Sequence, residues 1–315
     1  MTKMYLIVNL VAGKALINDN LGYIIDEFTK TGYEVTVHTT QNGADATESA
    51  EYACDKEFDI IVCAGGDGTL SQCMQGIMKS RKKIPVGYIP SGSTNDFARS
   101  LDIPKNTINA VRWIIDGTPT GCDVGKFNDS YFMYISAFGA FTNITYETPQ
   151  PLKNRLGHSA YILNGLLQIT SIRSKRMRIE YDGNVIEDDF LFGMVTNTAS
   201  VAGLLSLNDF MFDDGLFEVV LIKKPSNIVQ LRDIVQSLLN MNEEIDRDYI
   251  KFFRTDLIKF TCLDEEPATW TMDGEYGGDA MECTISNCKK AVELMICKCD
   301  ETKFSPDDTA DKDKA

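Results

Sequence analysis

A glycine-rich turn directly follows an apolar run in the first third of the chain. Residues 65–69 read Gly-Gly-Asp-Gly-Thr and come after the run Asp59–Ala64, and apolar residues then recur at helical spacing from Leu70 to Ile77. The sequence therefore predicts a buried strand, a turn of bare backbone and the start of a helix. Free N–H groups and the helix dipole favour an anion there, most often phosphate. A purely structural turn is the alternative, but Asp67 between two glycines is a poor choice for one.

The N-terminal part of the chain alternates strand-like and helix-like segments. Strands are predicted at Tyr5–Asn9, Glu34–Thr39, Asp59–Ala64 and Pro85–Ile89, with helices at about 18–31, 44–56, 70–80 and 106–116. This alternation indicates an α/β domain over 1–121, with a doubly wound parallel sheet covered on both faces. Ligands of such sheets bind beyond the carboxyl ends of the strands.

From Gly121 onward the segments become mostly strand-like. They are predicted at Asp123–Lys126, Tyr131–Ala137, Met177–Tyr181, Phe190–Asn197, Leu216–Lys223, Tyr249–Thr255, Leu257–Cys262 and Thr269–Asp273, with helices at about 156–173 and 226–241. We expect an antiparallel β-sandwich domain over 122–300, and leave open whether its last strand returns to the first domain. The active site is expected in the cleft between the two domains. Residues 301–315 are predicted to be a disordered acidic tail.

Composition excludes several classes of protein. The net charge of −15 argues against nucleic acid as a partner. No apolar stretch approaches the roughly 20 residues of a membrane-spanning helix, and the N-terminus does not resemble a signal peptide, which predicts a cytoplasmic protein. Nine cysteines without Cys-x-x-Cys spacing, and two histidines, indicate reduced thiols rather than a zinc site. The basic run 173–178 is either the solvated face of a strand or a contact for anionic lipid headgroups.

Several segments together resemble the soluble bacterial diacylglycerol kinase and lipid kinase family, which is related to sphingosine kinases and more distantly to NAD kinases. The turn 65–69 fits all three groups, whereas residues 90–98, Pro-Ser-Gly-Ser-Thr-Asn-Asp-Phe-Ala, resemble a stretch specific to the lipid kinases. The resemblance runs from Asn9 to about residue 295. Its later landmarks are Lys153 to Tyr161, Asp213 to Leu216 and Met272 to Glu275.

The resemblance implies a set of nucleotide contacts. It assigns them to Asn9, Gly13, Thr40, Gly65, Gly66, Asp67, Gly68, Thr69, Leu70, Ser71, Ser93 and Asn95. Asp67 would bind Mg²⁺, or a water held by Mg²⁺, beside the phosphates of ATP. Thr40 could instead cap the following helix.

The resemblance also implies the catalytic acids and a second metal site. Glu275 would be the general base that accepts the proton of the acceptor hydroxyl, with Asp67 assisting. The alternative is that Asp273 and Glu275 are exposed turn residues. Asp214 would hold a structural Mg²⁺ together with the backbone carbonyls of Met211 and Leu216, although Asp214 could equally cap a turn.

The implied function is an ATP-dependent lipid kinase that converts diacylglycerol to phosphatidic acid. The implied setting is the cytoplasm, with transient contact to the inner membrane surface, and a homodimer is compatible with it. Gln72 stands where the family usually has an acidic residue, and Asn208 where proline is common. These departures leave two alternatives open: a kinase of another acceptor, such as a sphingoid-like base or NAD, or a catalytically weak nucleotide- or lipid-binding regulator.

Overall fold

The computed structural model describes two compact units. The described residues are 1–13, 17–93, 95–139, 174–198, 200–201, 205–206, 211–227, 230, 234 and 248–298. The first unit comprises Met1–Val124 and Lys289–Ala315, and the second Gly125–Cys288. The predicted helix 156–173, most of the predicted helix 226–241, the landmark from Lys153 to Tyr161, Asn208 and the tail 301–315 lie outside the described residues.

The first unit is an open parallel sheet with helical crossovers. Its elements are β1 (Thr2–Val8), α1 (Ile17–Lys30), β2 (Tyr33–Thr39), α2 (Asp45–Asp55), β3 (Ile60–Gly65), α3 (Asp67–Lys79), β4 (Val86–Pro90), α4 (Asp96–Ser100), α5 (Thr107–Ile115) and the start of β5 (Thr118–Phe127). The strands pair in parallel, as the sequence predicted, and their order in the sheet is β2-β1-β3-β4. Helix α3 begins earlier than predicted, at Asp67, and the short helix α4 was not predicted.

Helices cover both faces of this sheet. Successive side chains of a strand point to opposite faces, so neighbouring residues of β1 contact different helices. On one face Leu6 is buried in a cluster with Phe28 of α1 and Ile114 of α5. On the other face Tyr5 packs against Tyr52 of α2, with 5.6 Å between ring centroids. Both α1 and α5 are amphipathic surface helices, and none of the helices in the described ranges is both long and apolar enough to cross a membrane.

The second unit consists of antiparallel strands, in agreement with the predicted class. They are β6 (Ser130–Phe132), β7 (Ile135–Gly139), β8 (Lys175–Tyr181), β9 (Asn184–Thr196), β10 (Ser200–Val201), β11 (Leu205–Ser206), β12 (Phe217–Lys223), β13 (Ile250–Thr255), β14 (Leu257–Cys262), β15 (Ala268–Met272), β16 (Glu275–Ala280) and the first part of β17 (Glu282–Ile296). The long strand β9 pairs with β7, β8 and β12, and so joins the sheet together. The end of β17 belongs to the first unit, where Leu294 pairs with Val86 of β4.

An aromatic cluster fills the core of the second unit. Trp270 is 1% exposed, and its ring centroid lies 5.1 Å from that of Phe127, 4.9 Å from Phe138 and 5.0 Å from Phe260. Tilted and edge-to-face contacts of this kind stabilise beyond the apolar area that they bury. The cluster fixes β15, the strand that leads into the predicted catalytic turn.

Candidate active site

Three turns at the carboxyl ends of β1, β3 and β4 pack against each other through bare backbone. A Cβ added to Gly92 would lie 2.7 Å from the Cα of Gly66, and one added to Gly13 would lie 2.2 Å from the carbonyl oxygen of Ser91. Gly13 also has φ +56°, a conformation that disfavours other residues. Glycine is therefore required at these positions because the backbones of the turns approach each other closely. The three turns form one surface with little room for side chains.

Asn9 and Thr69 connect two of these turns across the point where the strand order reverses. The amide of Asn9 donates from Nδ2 to Thr69 Oγ1 over 2.9 Å, and the Asn9 backbone N–H donates to the carbonyl of Ala64 over 2.9 Å. Ligands of open α/β sheets bind at this reversal of strand order. Thr40 follows the neighbouring strand, and its N–H donates to the carbonyl of Val8. The structure thus brings these predicted contacts to one edge of the sheet.

Asp67 connects the glycine turn to the start of α4. Its carboxylate accepts hydrogen bonds from the backbone N–H groups of Asp96, at 3.2 Å, and Phe97, at 3.3 Å. Burial, reinforced by the charge of Asp96, raises the pKa of Asp67, while the amide bonds oppose this shift. Each carboxylate oxygen accepts one of these two bonds and has a further lone pair, so Asp67 fits a Mg²⁺ ion or a metal-bound water.

Asn95 closes the turn after β4 on itself. Its Oδ1 accepts the N–H of Gly92 at 2.9 Å, its Nδ2 donates to the Gly92 carbonyl at 2.8 Å, and the hydroxyl of Tyr88 lies 3.5 Å from Oδ1. Asn95 is buried with φ +52°, a left-handed conformation that asparagine tolerates. The side chain therefore positions the turn, and among the described residues of the turn Ser93 presents an exposed hydroxyl. Tyr88 and Asp96 were missed by the sequence analysis.

The first turn of α3 holds the remaining predicted contacts. Gly68 and Ser71 are half-buried, whereas the side chain of Leu70 is 1% exposed and packs inside the unit. Gly65 lies at the end of β3, where an added Cβ would be 2.6 Å from the Thr69 Cβ. Leu70 can therefore contribute only backbone to a ligand at this turn.

A substitution at Gly92 tests the close approach of the turns. We expect Gly92→Ala to lower the free energy of unfolding by about 1–3 kcal/mol, because the backbone of Gly66 must move to admit the methyl group. ATP affinity should fall with it. Gly22 is the matched control, since it lies in α1 with no atom within 4 Å of an added Cβ. Gly22→Ala should raise stability by about 0.5–1 kcal/mol. Urea unfolding and ATP titration measure both effects, and an unchanged Gly92→Ala variant would contradict the packing described.

Asp273 and Glu275 occupy the two sides of a hairpin turn and have different environments. Asp273 has φ +49° and Gly274 φ +84°, the pattern of a type I′ turn between β15 and β16. The Asp273 carboxylate is buried and accepts N–H groups from residues 133, 134 and 135 at 2.8, 3.0 and 3.2 Å. Glu275 is exposed as the first residue of β16. Asp273 is therefore a buried structural acid, and the single strand predicted over Tyr131–Ala137 is broken where its backbone turns toward this carboxylate.

The predicted structural metal site has its acidic oxygens already engaged. Asp214 Oδ1 accepts the N–H of Leu216 at 2.9 Å, and Oδ2 contacts the guanidinium of Arg254. Arg254 also donates from Nε to Glu218 over 3.1 Å. Burial raises the pKa of Glu218 to about 7, against the opposing charge of Arg254. Met211 is largely exposed. The guanidinium at Asp214 opposes a second cation there, so this arrangement does not favour the Mg²⁺ site that was predicted with the backbone carbonyls of Met211 and Leu216.

The basic run on β8 is paired with acidic or carbonyl groups. Arg176 contacts Glu187 at 3.0 Å, Arg178 contacts Glu180 at 3.2 Å, and Lys175 donates to a backbone carbonyl. These contacts favour the solvated strand face over a lipid-binding patch for residues 175–178.

The arrangement in the first unit is typical of a nucleotide-dependent phosphotransferase. Comparison with known proteins specifies the family: residues 3–127 match the model for the diacylglycerol kinase catalytic domain. The chain is 34% identical over 280 residues to a diacylglycerol kinase of Bacillus subtilis (strain 168), covering 88% of this chain and 91% of the relative. It is also 34% identical over 294 residues to a diacylglycerol kinase of Staphylococcus haemolyticus (strain JCSC1435), covering 93% and 88%. The chain belongs to the diacylglycerol kinase family, which confirms the resemblance seen in the sequence.

Solved structures share the fold. A crystal structure of a diacylglycerol kinase from Bacillus anthracis (strain Sterne) superimposes with a TM-score of 0.73 at 22% identity, covering 94% of this chain and 97% of that chain. Another from the same strain gives a TM-score of 0.76 at 24% identity, covering 94% and 95%. At these identities the likeness concerns the fold alone.

Proposed function

We propose that this protein transfers the γ-phosphoryl group of ATP to the hydroxyl of diacylglycerol, giving phosphatidic acid and ADP. The observation that carries the proposal is the surface of bare turns at the carboxyl ends of β1, β3 and β4, where Gly13, Gly66 and Gly92 approach neighbouring backbone closely and place no side chain at this edge of the sheet. Membership in the diacylglycerol kinase family supports the choice of acceptor.

The first unit would bind the nucleotide. Backbone N–H groups at the start of α3 and the positive end of its dipole would hold the phosphates. Ser93 would donate from its exposed hydroxyl, and Thr40 lies beside the same edge. Asp67 is anchored by the amides of α4, so its carboxylate would meet the Mg²⁺ that accompanies ATP in a fixed orientation. That ion neutralises phosphate charge during transfer.

Glu275 would act on the acceptor. It would take the proton of the lipid hydroxyl as that oxygen forms a bond to the γ-phosphorus and the bond to the β-phosphate oxygen of ADP breaks. Its exposed position at the start of β16 leaves the carboxylate available to a substrate. Asp273 would hold the turn in place through its three backbone hydrogen bonds.

The acceptor defines where the enzyme would work. Diacylglycerol stays in the membrane, so the proposal includes a cytoplasmic enzyme that contacts the inner membrane surface transiently during turnover.

An acceptor panel tests the proposed substrate. Labelled ATP with Mg²⁺ is offered together with diacylglycerol in anionic vesicles, a sphingoid base in the same vesicles, or NAD in solution. We expect labelled phosphatidic acid and little transfer to the other two acceptors. Transfer to NAD or the sphingoid base alone would overturn the diacylglycerol assignment, and nucleotide binding without transfer to any acceptor would favour a regulator.

A further inference from the structure

The acidic turn before β12 is neutralised by a side chain of the protein itself. Arg254 contacts Asp214 through Nη2 and Glu218 through Nε, so one guanidinium serves two carboxylates. A planar guanidinium has several N–H donors in a fixed fork, which suits it to bridging carboxylates in a way that the point charge of lysine does not.

The strand pairing fixes Arg254 in this place. Glu218 of β12 and Arg254 of β13 are direct partners in the antiparallel register. Side chains of directly opposed residues lie on the same face of a sheet and within reach of each other. The side chain of Arg254 is 36% exposed, compared with 12% for Asp214 and 4% for Glu218, so the cation covers two largely buried acids.

Among the described residues of this turn, Asp214 already has a cationic partner. Asp214 directs one oxygen to the N–H of Leu216 and the other to Arg254. A dication beside Asp214 would also be repelled by the neighbouring guanidinium. Oε2 of Glu218 is buried and has no hydrogen-bond partner among the described residues, so removal of Arg254 would leave its carboxylate without a counter-charge.

We infer that Arg254 supplies the positive charge that this turn requires, and that the second unit is held without the divalent cation that the family resemblance implies. The inference concerns stability and is independent of the proposed catalytic activity. In this account the guanidinium and a divalent ion are alternative ways to neutralise Asp214 and Glu218.

Thermal unfolding in EDTA and in MgCl₂ without nucleotide, combined with metal analysis after desalting, tests the inference. We expect the wild type to carry well under one equivalent of metal and to show the same Tm in both buffers. Arg254→Met should lower Tm by several degrees in EDTA, because Asp214 loses its counter-charge and Glu218 loses its hydrogen-bond donor. Added Mg²⁺ should recover part of this loss. The matched control is Arg176→Met, which removes an exposed ion pair to Glu187 and should change Tm little.

Several results would overturn the inference. One is a full equivalent of tightly bound metal in the desalted wild type, and another is a lower wild-type Tm in EDTA than in MgCl₂. An Arg254→Met variant as stable as the wild type, or one indifferent to Mg²⁺, would also contradict it. If Arg254→Met does not fold, Asp214→Asn replaces it: we expect the same Tm loss in both buffers, and a loss confined to MgCl₂ would restore the metal site.

Discussion

Glu275→Gln is expected to lower kcat for diacylglycerol phosphorylation by roughly 10²- to 10⁴-fold, the usual contribution of a general base. Glutamine keeps the size of the side chain and cannot accept the proton of the attacking hydroxyl. Because Glu275 is exposed at the start of β16, the substitution should change the free energy of unfolding by less than about 0.5 kcal/mol. Steady-state kinetics with labelled ATP and urea unfolding measure the two quantities.

Glu265→Gln is the control for this experiment. Glu265 is an exposed glutamate in the same unit, in the loop before β15, and has no place in the proposed mechanism. It should keep the wild-type kcat. A Glu275→Gln variant that also keeps the wild-type kcat would remove Glu275 from the role of base, whatever the acceptor.

Asp273→Ala should be the most destabilising single substitution near the catalytic turn. The carboxylate is 3% exposed and accepts three backbone N–H groups. An alanine would leave these buried donors without partners, at an expected total of about 3–5 kcal/mol in the free energy of unfolding. Because the same carboxylate holds the type I′ turn, kcat should fall as well. Urea unfolding monitored by tryptophan fluorescence measures the stability change.

Asp279→Ala is the matched control in the same hairpin. Asp279 is exposed on β16 and bonds the hydroxyl of Thr269, so its loss should cost less than about 1 kcal/mol. If Asp273→Ala does not fold, Asp273→Asn replaces it. The side-chain carbonyl oxygen of asparagine still accepts a hydrogen bond, so this variant should lose less free energy of unfolding than Asp273→Ala and more than Asp279→Ala. Equal urea midpoints for Asp273→Ala and Asp279→Ala would contradict the structural role assigned to Asp273.

The first unit was predicted well because its signals are local. Alternating strands and amphipathic helices gave β3 within one residue of its observed bounds, Ile60–Gly65. Helix α3 was predicted to begin too late because Asp67 and Gly68 are weak helix formers, although a first helical turn tolerates them. Helix α4 has five residues, which is too short for a periodic pattern to be recognised.

The features that were missed in the second unit depend on distant partners. The break between β6 and β7 comes from Asp273, which is 140 residues from Met133 along the chain. Likewise the engagement of Asp214 depends on Arg254, 40 residues away. A single sequence shows an acidic residue and a turn, but not which backbone or side chain will reach the carboxylate after folding. The sequence could therefore name candidate acids but could not separate the structural ones from those available for catalysis.

A single-turnover experiment tests the central claim most directly. Enzyme in molar excess over labelled ATP is mixed, in a buffer that contains Mg²⁺, with saturating diacylglycerol vesicles. The labelled lipid is identified, and its amount is followed in time. We predict that the wild type converts the label to phosphatidic acid, and that Glu275→Gln binds ATP equally well but forms this product roughly 10²- to 10⁴-fold more slowly. Phosphatidic acid formed at the same rate by both proteins, or no labelled lipid from the wild type, would contradict the account.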